Sequence, residues 1–142
     1  PTHIAIALDY HADDCPVPVV AAKGEGPLAA ALREAYEEVG LDAKYVQPIG
    51  YLDLYLTFSG FRILPLVAHV DPDYAMTVNP SEVADAFEVP LEFLMAPGNH
   101  QRLKRDWNGI ERQYYAMPFG ERYIWGVTAG ILRNLYERIY AG

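Results

Sequence analysis

The sequence predicts an α/β fold: a mixed β-sheet sandwiched between helices, in a single domain over residues 1–142. Three observations carry this reading. After the break at Gly24-Glu25-Gly26-Pro27, the residues Leu28, Ala31, Leu32, Ala35 and Val39 recur at helical spacing. Residues 61–70 are almost continuously apolar, as a strand buried on both faces requires. Helical spacing returns in residues 124–140, through Ile124, Val127, Thr128, Ile131, Leu132, Leu135 and Ile139. A length of 142 residues suits one domain.

The remaining elements follow in chain order. Residues 2–8 alternate weakly and read as a strand, residues 11–18 as a polar loop and residues 17–22 as a short apolar run. Pro27 suits the first turn of the helix, and Gly40 stands where its C-terminal cap belongs. Residues 45–56 read as a strand bent at Gly50, and Pro65 marks an edge or bulge in the strand over 61–70. Asn79-Pro80-Ser81-Glu82-Val83 is a turn, and Pro90 opens a short helix through Met95. Asn108-Gly109 signals a hairpin with a return strand over 113–117. Trp125, Gly126 and Gly130 fall in the final helix, where Trp125 packs in the core and the glycines allow close approach to the sheet.

Composition narrows the function. The chain is 51% hydrophobic and carries a formal net charge of −8. That balance argues against broad nucleic-acid binding, which needs a basic surface. No apolar run reaches the roughly 18 residues that span a bilayer, so no membrane partner is expected. Cys15 is the lone cysteine; it excludes an internal disulfide and favours a reducing, cytoplasmic setting. Pro1 in place of Met points to a processed or incomplete N-terminus. The Gly126/Gly130 spacing is too weak to argue dimerisation, which leaves a homodimer open.

Glu34, Glu37 and Glu38 lie at i, i+3 and i+4 and share one helix face, roughly opposite the apolar stripe. A solvated charged face is the ordinary reading of such a pattern. The punctuation around it favours another: Glu25 before the Gly-Pro break, seven residues, then Arg33-Glu34, Glu37-Glu38 and Gly40-Leu41. Carboxylate oxygens are the hard ligands that Mg²⁺ or Mn²⁺ prefers.

These residues resemble the Nudix box, G-x5-E-x7-R-E-U-x-E-E-x-G-U with U a bulky aliphatic. Glu25, Arg33, Glu34, Glu37, Glu38, Gly40 and Leu41 match seven of its nine specified positions; Ala35 stands at the first U, and Val19 replaces the opening glycine. Further segments resemble the coenzyme A pyrophosphatase branch in order and spacing: Gly50-Tyr51-Leu52-Asp53, Thr57-Phe58-Ser59-Gly60-Phe61, Asn79-Pro80-Ser81-Glu82-Val83, Val89-Pro90-Leu91 and Ile124-Trp125-Gly126-Val127-Thr128-Ala129. The resemblance implies the Nudix fold, an α/β/α sandwich around a mixed β-sheet. It implies metal-dependent hydrolysis of CoA or a CoA derivative to 3′,5′-ADP and a 4′-phosphopantetheine product. Glu37 and Glu38 would be metal ligands, Glu34 a ligand or general base, and Glu25 and Arg33 would orient the loop and helix. Glu82 is a candidate supporting carboxylate. Another nucleoside diphosphate such as ADP-ribose, or a non-catalytic binding module, is the alternative.

The part before about residue 24 departs from the family. Its Leu-Leu-Thr-x-Arg-like strand and Phe-Pro-Gly-Gly turn do not occur. Either a stretch is missing between about Asp13 and Gly24, which is the favoured reading, or the domain is divergent. Outside the box, Arg102, Lys104 and Arg105 form a basic cluster that could contact a substrate phosphate, and Tyr114 and Tyr115 could stack on adenine. The four histidines, His3, His11, His69 and His100, show no ligand spacing.

Overall fold

The computed structural model describes residues 3–7, 26–57, 60, 62–81 and 86–141. Cys15, Glu25, Glu82 and the departure from the family over residues 13–24 lie outside them. The chain forms two compact units, Pro1–Phe87 and Glu88–Gly142.

In the first unit, β1 (His3–Ala7) and β2 (Val46–Tyr51) flank β5 (Leu66–Val70), and both pairings are antiparallel. The central place of β5 explains its sequence. Leu66, Val67, Ala68 and Val70 are all buried, so the strand shows no polar alternation. The expected strand over 45–56 is interrupted. β2 slips register between Pro48 and Gly50, and only Tyr55–Leu56 (β3) continues, paired with Arg62–Ile63 (β4). Among the described strands β2 lies at the edge of this sheet, the place where a strand tolerates a proline such as Pro48. The expected strand over 61–70 is likewise split into β4 and β5. Pro65 sits in the break, fully buried, and its carbonyl accepts the Leu52 N–H at 2.9 Å.

Helix α1 (Pro27–Val39) starts with Pro27 at its first positions and stops at Gly40, in the left-handed region at φ 70°. Its inward line differs from the apolar stripe. Leu28 is 37% exposed, whereas Ala30 and Glu34 are buried. The side bearing Glu34 is therefore the more enclosed one, although the spacing sets Glu34 roughly opposite the apolar stripe.

In the second unit, β6 (Gln101–Trp107), β7 (Ile110–Phe119) and β8 (Arg122–Trp125) form an antiparallel meander. Asn108 and Gly109 both have positive φ, 52° and 80°, as a two-residue hairpin turn of the primed type demands. The return strand is longer than residues 113–117. β8 corrects the reading of the C-terminus: Ile124 and Trp125 are strand residues, and α3 (Gly126–Ile139) begins after them. Ile124 falls in phase with the helical stripe, but a turn at Gly120-Glu121 folds residues 122–125 back on β7, where Tyr, Ile and Trp suit a strand. Trp125 is 42% exposed rather than in the core; its ring meets Tyr114 edge-on at 5.9 Å. Met117, Ile124, Ala129, Ile131, Leu132 and Leu135 make the buried core where α3 packs on β7 and β8. Pro90 precedes the single-turn helix α2 (Leu91–Leu94), as expected. Among the described residues, no helix is long and apolar enough to cross a membrane.

Gly40 is held by two constraints. A Cβ there would stand 3.2 Å from the Thr77 Cβ and 3.3 Å from the Thr77 carbonyl, and the backbone is left-handed. Gly40→Ala is expected to lower stability by about 1–3 kcal/mol. Urea unfolding measures it; an unchanged midpoint would contradict this account of the helix end.

Candidate acidic site on the first helix

The acidic residues belong to the C-terminal half of α1, whose partial charge is negative. The last turn holds no basic residue. Three carboxylates at the negative end of a helix repel one another and the helix dipole, so the sequence places an unbalanced demand for cations there. Arg33 meets part of it. Its Nη1 donates to Glu34 Oε1 at 2.9 Å and to Glu37 Oε2 at 3.2 Å. One guanidinium nitrogen thus lies between two carboxylates. The Glu34 side chain is only 11% exposed, against 46% for Glu37. Glu34 is the buried charged residue among the described residues, and Arg33 is what makes its burial tolerable. Glu38, half-buried, follows Glu37 on the same turn.

The helix end is anchored from residues 74–81. Four terminal carbonyls of a helix have no partner within it. Here the Gly40 N–H bonds the Tyr36 carbonyl at 3.0 Å. The Glu37 carbonyl accepts from Asn79 Nδ2 at 3.1 Å and the Glu38 carbonyl from the Asn79 N–H at 2.9 Å. The Val39 carbonyl accepts from the Thr77 N–H at 3.0 Å and from the Tyr74 hydroxyl. The turn read at Asn79-Pro80-Ser81 is therefore a clamp on the residues that carry Glu37 and Glu38. Sequence reasoning noted that turn but gave Asn79 no role.

Among the described residues, no group of three or more His, Cys, Asp or Glu side chains is placed to hold a metal ion. Two carboxylates do converge, on Arg33. A Mg²⁺ ion is commonly held by one or two carboxylates, with waters and substrate phosphates completing its shell. The donor chemistry and number at Glu34, Glu37 and Glu38 fit that mode rather than a closed protein cage.

The basic cluster is divided by its strand. Arg102 and Lys104 point to one face of β6 and Arg105 to the other, since side chains alternate. Lys104 pairs with Glu111 at 3.5 Å, and the Arg105 guanidinium lies over the Trp107 ring at 4.8 Å. Tyr114 and Tyr115 are half-buried, and Arg133 lies 5.4 Å from the centre of the Tyr115 ring. A cavity of about 500 Å³ in the second unit is lined by Leu91, Glu92, Met95, Ala96 and Tyr140, and none of the sequence-predicted site residues lines it.

Comparison with known proteins points one way over most of the chain. A relative from Photorhabdus laumondii, named as an uncharacterized Nudix hydrolase NudL, is 31% identical over 97% of this chain and 75% of its own length. Relatives of the same name from Enterobacter and Klebsiella pneumoniae are each 34% identical, over 79% and 80% of this chain, and the matches span 58% and 59% of their lengths. The chain thus spans under two thirds of the latter two. A separate match, to a family described as FlhB HrpN YscU SpaS Family, covers residues 1–45 alone. It takes in under a third of the chain and leaves most of the described fold unaccounted for, whereas the first relative aligns nearly throughout.

Arg33→Met is expected to cost about 1–3 kcal/mol of stability, because it strands the buried Glu34 carboxylate without its partner. Glu37→Gln, at an exposed pair, should change it by less than about 0.5 kcal/mol. Equal losses in urea unfolding would contradict the primary pairing of Arg33 with Glu34.

Proposed function

The chain belongs to the Nudix hydrolase family, and from that premise we propose that it hydrolyses a pyrophosphate bond in CoA or a CoA derivative, releasing 3′,5′-ADP and a 4′-phosphopantetheine product. The observation that carries the reading is the pair of carboxylates, Glu34 and Glu37, that bracket one cationic nitrogen beside Glu38. The three carboxylates supply the hard oxygen donors that Mg²⁺ and Mn²⁺ prefer.

Glu37 and Glu38 would hold Mg²⁺ or Mn²⁺, with Glu34 as a further ligand or as the base. When bound, the cation supplies charge neutralisation at the diphosphate oxygens and a more acidic bound water. The chain's own part is orientation and proton transfer. Arg33 fixes the Glu34 carboxylate through its 2.9 Å bond. A carboxylate held beside the attacking water accepts its proton. Glu25 and Glu82 keep the supporting roles that the family resemblance implies. Of the basic cluster, Arg102 and Lys104 share one strand face and Arg105 lies on the other, and these three remain the candidates for a substrate phosphate.

The preference for CoA rests on the ordered segments from Gly50 to Ala129. Family membership also supports an α/β/α sandwich as the architecture of a single Nudix domain over residues 1–142.

With Mg²⁺ present, CoA should be cleaved faster than ADP-ribose or NADH, with 3′,5′-ADP as a product. Glu38→Gln should lower the rate by at least about 10–100-fold, the scale on which weakened metal holding acts, with an unchanged circular dichroism spectrum. Fast cleavage of ADP-ribose with CoA untouched would reject the substrate. No Mg²⁺-dependent turnover of any of the three would favour a binding module.

A further inference from the structure

We propose that Asn79 is a positioning residue for the metal-facing carboxylates, acting through the backbone of the last turn of α1; this rests on the metal reading given above. Two donors of one residue, Nδ2 and the backbone N–H, bond two successive carbonyls, those of Glu37 and Glu38. These are the residues whose side chains would hold the cation. Asn79 stands 42 positions from Glu37, so the contact is built by the fold and is no local turn.

Asn79 is itself held. Its Oδ1 accepts from the Ser81 N–H at 3.2 Å and from the Ser81 hydroxyl at 2.8 Å. With the oxygen engaged by Ser81, the amide nitrogen is the group left to face α1. Pro80 disfavours the helical region for the residue before it, Asn79. The other bonds at this helix end serve the carbonyls of Ala35, Tyr36 and Val39, whose side chains have no part in the site. Asn79 thus ties down the backbone of both Glu37 and Glu38.

A helix end frays when its carbonyls lack partners, and a ligand on a fraying turn loses its fixed direction. Groups that orient metal ligands without touching the metal change affinity by about 10–100-fold when removed. Asn79 also places two donors against the negative helix end, where the two carboxylates already crowd. Asp at this position would keep the size and the acceptor for Ser81, remove the Nδ2 donor and add a charge of the wrong sign.

The test is Mn²⁺ binding to the 142-residue chain, followed by the loss of the free-ion electron paramagnetic resonance signal, for wild type, Asn79→Asp and Ser81→Ala. Asn79→Asp should weaken Mn²⁺ about tenfold or more and lower kcat with KM for the nucleotide unchanged. Ser81→Ala, which leaves both bonds from Asn79 to α1 in place, should fold normally and weaken Mn²⁺ in the same direction by a smaller factor. A purely structural role would lower the melting temperature and leave the Mn²⁺ affinity of the folded protein alone. Wild-type affinity in both variants overturns the positioning role and leaves the metal reading standing. A wild-type chain that binds no Mn²⁺ overturns that reading and this inference with it.

Discussion

The end of the first helix is the constraint on which the site depends. A helix must stop with its last carbonyls satisfied, and this one must stop one residue after two adjacent glutamates. Gly40 turns the chain left-handed, and residues 74–81 return to bond the exposed carbonyls of Glu37, Glu38 and Val39. The result is a rigid turn with charged side chains on one side and backbone bonds on the other. Without that clamp the carboxylates would stand on a frayed end, at the worst place for negative charge.

Electrostatics then explain why such a turn exists at all. Like charges at i,i+3 and i,i+4 weaken a helix, and the helix dipole adds to the penalty at this end. Arg33 offsets part of it and allows Glu34 to be buried. Under the proposed activity, a chain with net charge −8 would meet an anionic substrate and would need positive charge at the point of reaction. Carboxylates that recruit a divalent cation would resolve that conflict, because the same residues that repel phosphate would then draw it in.

Much of this was legible in the sequence, and the failures have physical causes. The bounds of α1, the Asn108-Gly109 hairpin and the central strand β5 follow local rules of capping, turn chemistry and burial, and these the sequence states directly. Ile124 and Trp125 misled because they sit in phase with a helix, while pairing to β7 decides their fate. The break between β2 and β3 depends on a register slip near Gly50 that no local pattern records. In the candidate site, the shared helix face of Glu34, Glu37 and Glu38 was readable from spacing, and Arg33 bonds Glu37 at i,i+4, as that spacing allows. The burial of Glu34 was not, because it arises from what encloses α1 rather than from the helix pattern. Asn79 was visible as part of a turn, but its contact spans 42 residues and leaves no periodic trace.

The central claim is that the acidic face of α1 holds a divalent cation. Anomalous diffraction from crystals soaked in Mn²⁺ tests it most directly. The account predicts a peak at direct-coordination distance, about 2.1 Å, from carboxylate oxygens of Glu37 and Glu38, with the Glu34 side chain adjoining. A Mn²⁺ peak elsewhere, with Arg33 still lying between Glu34 and Glu37, would contradict it.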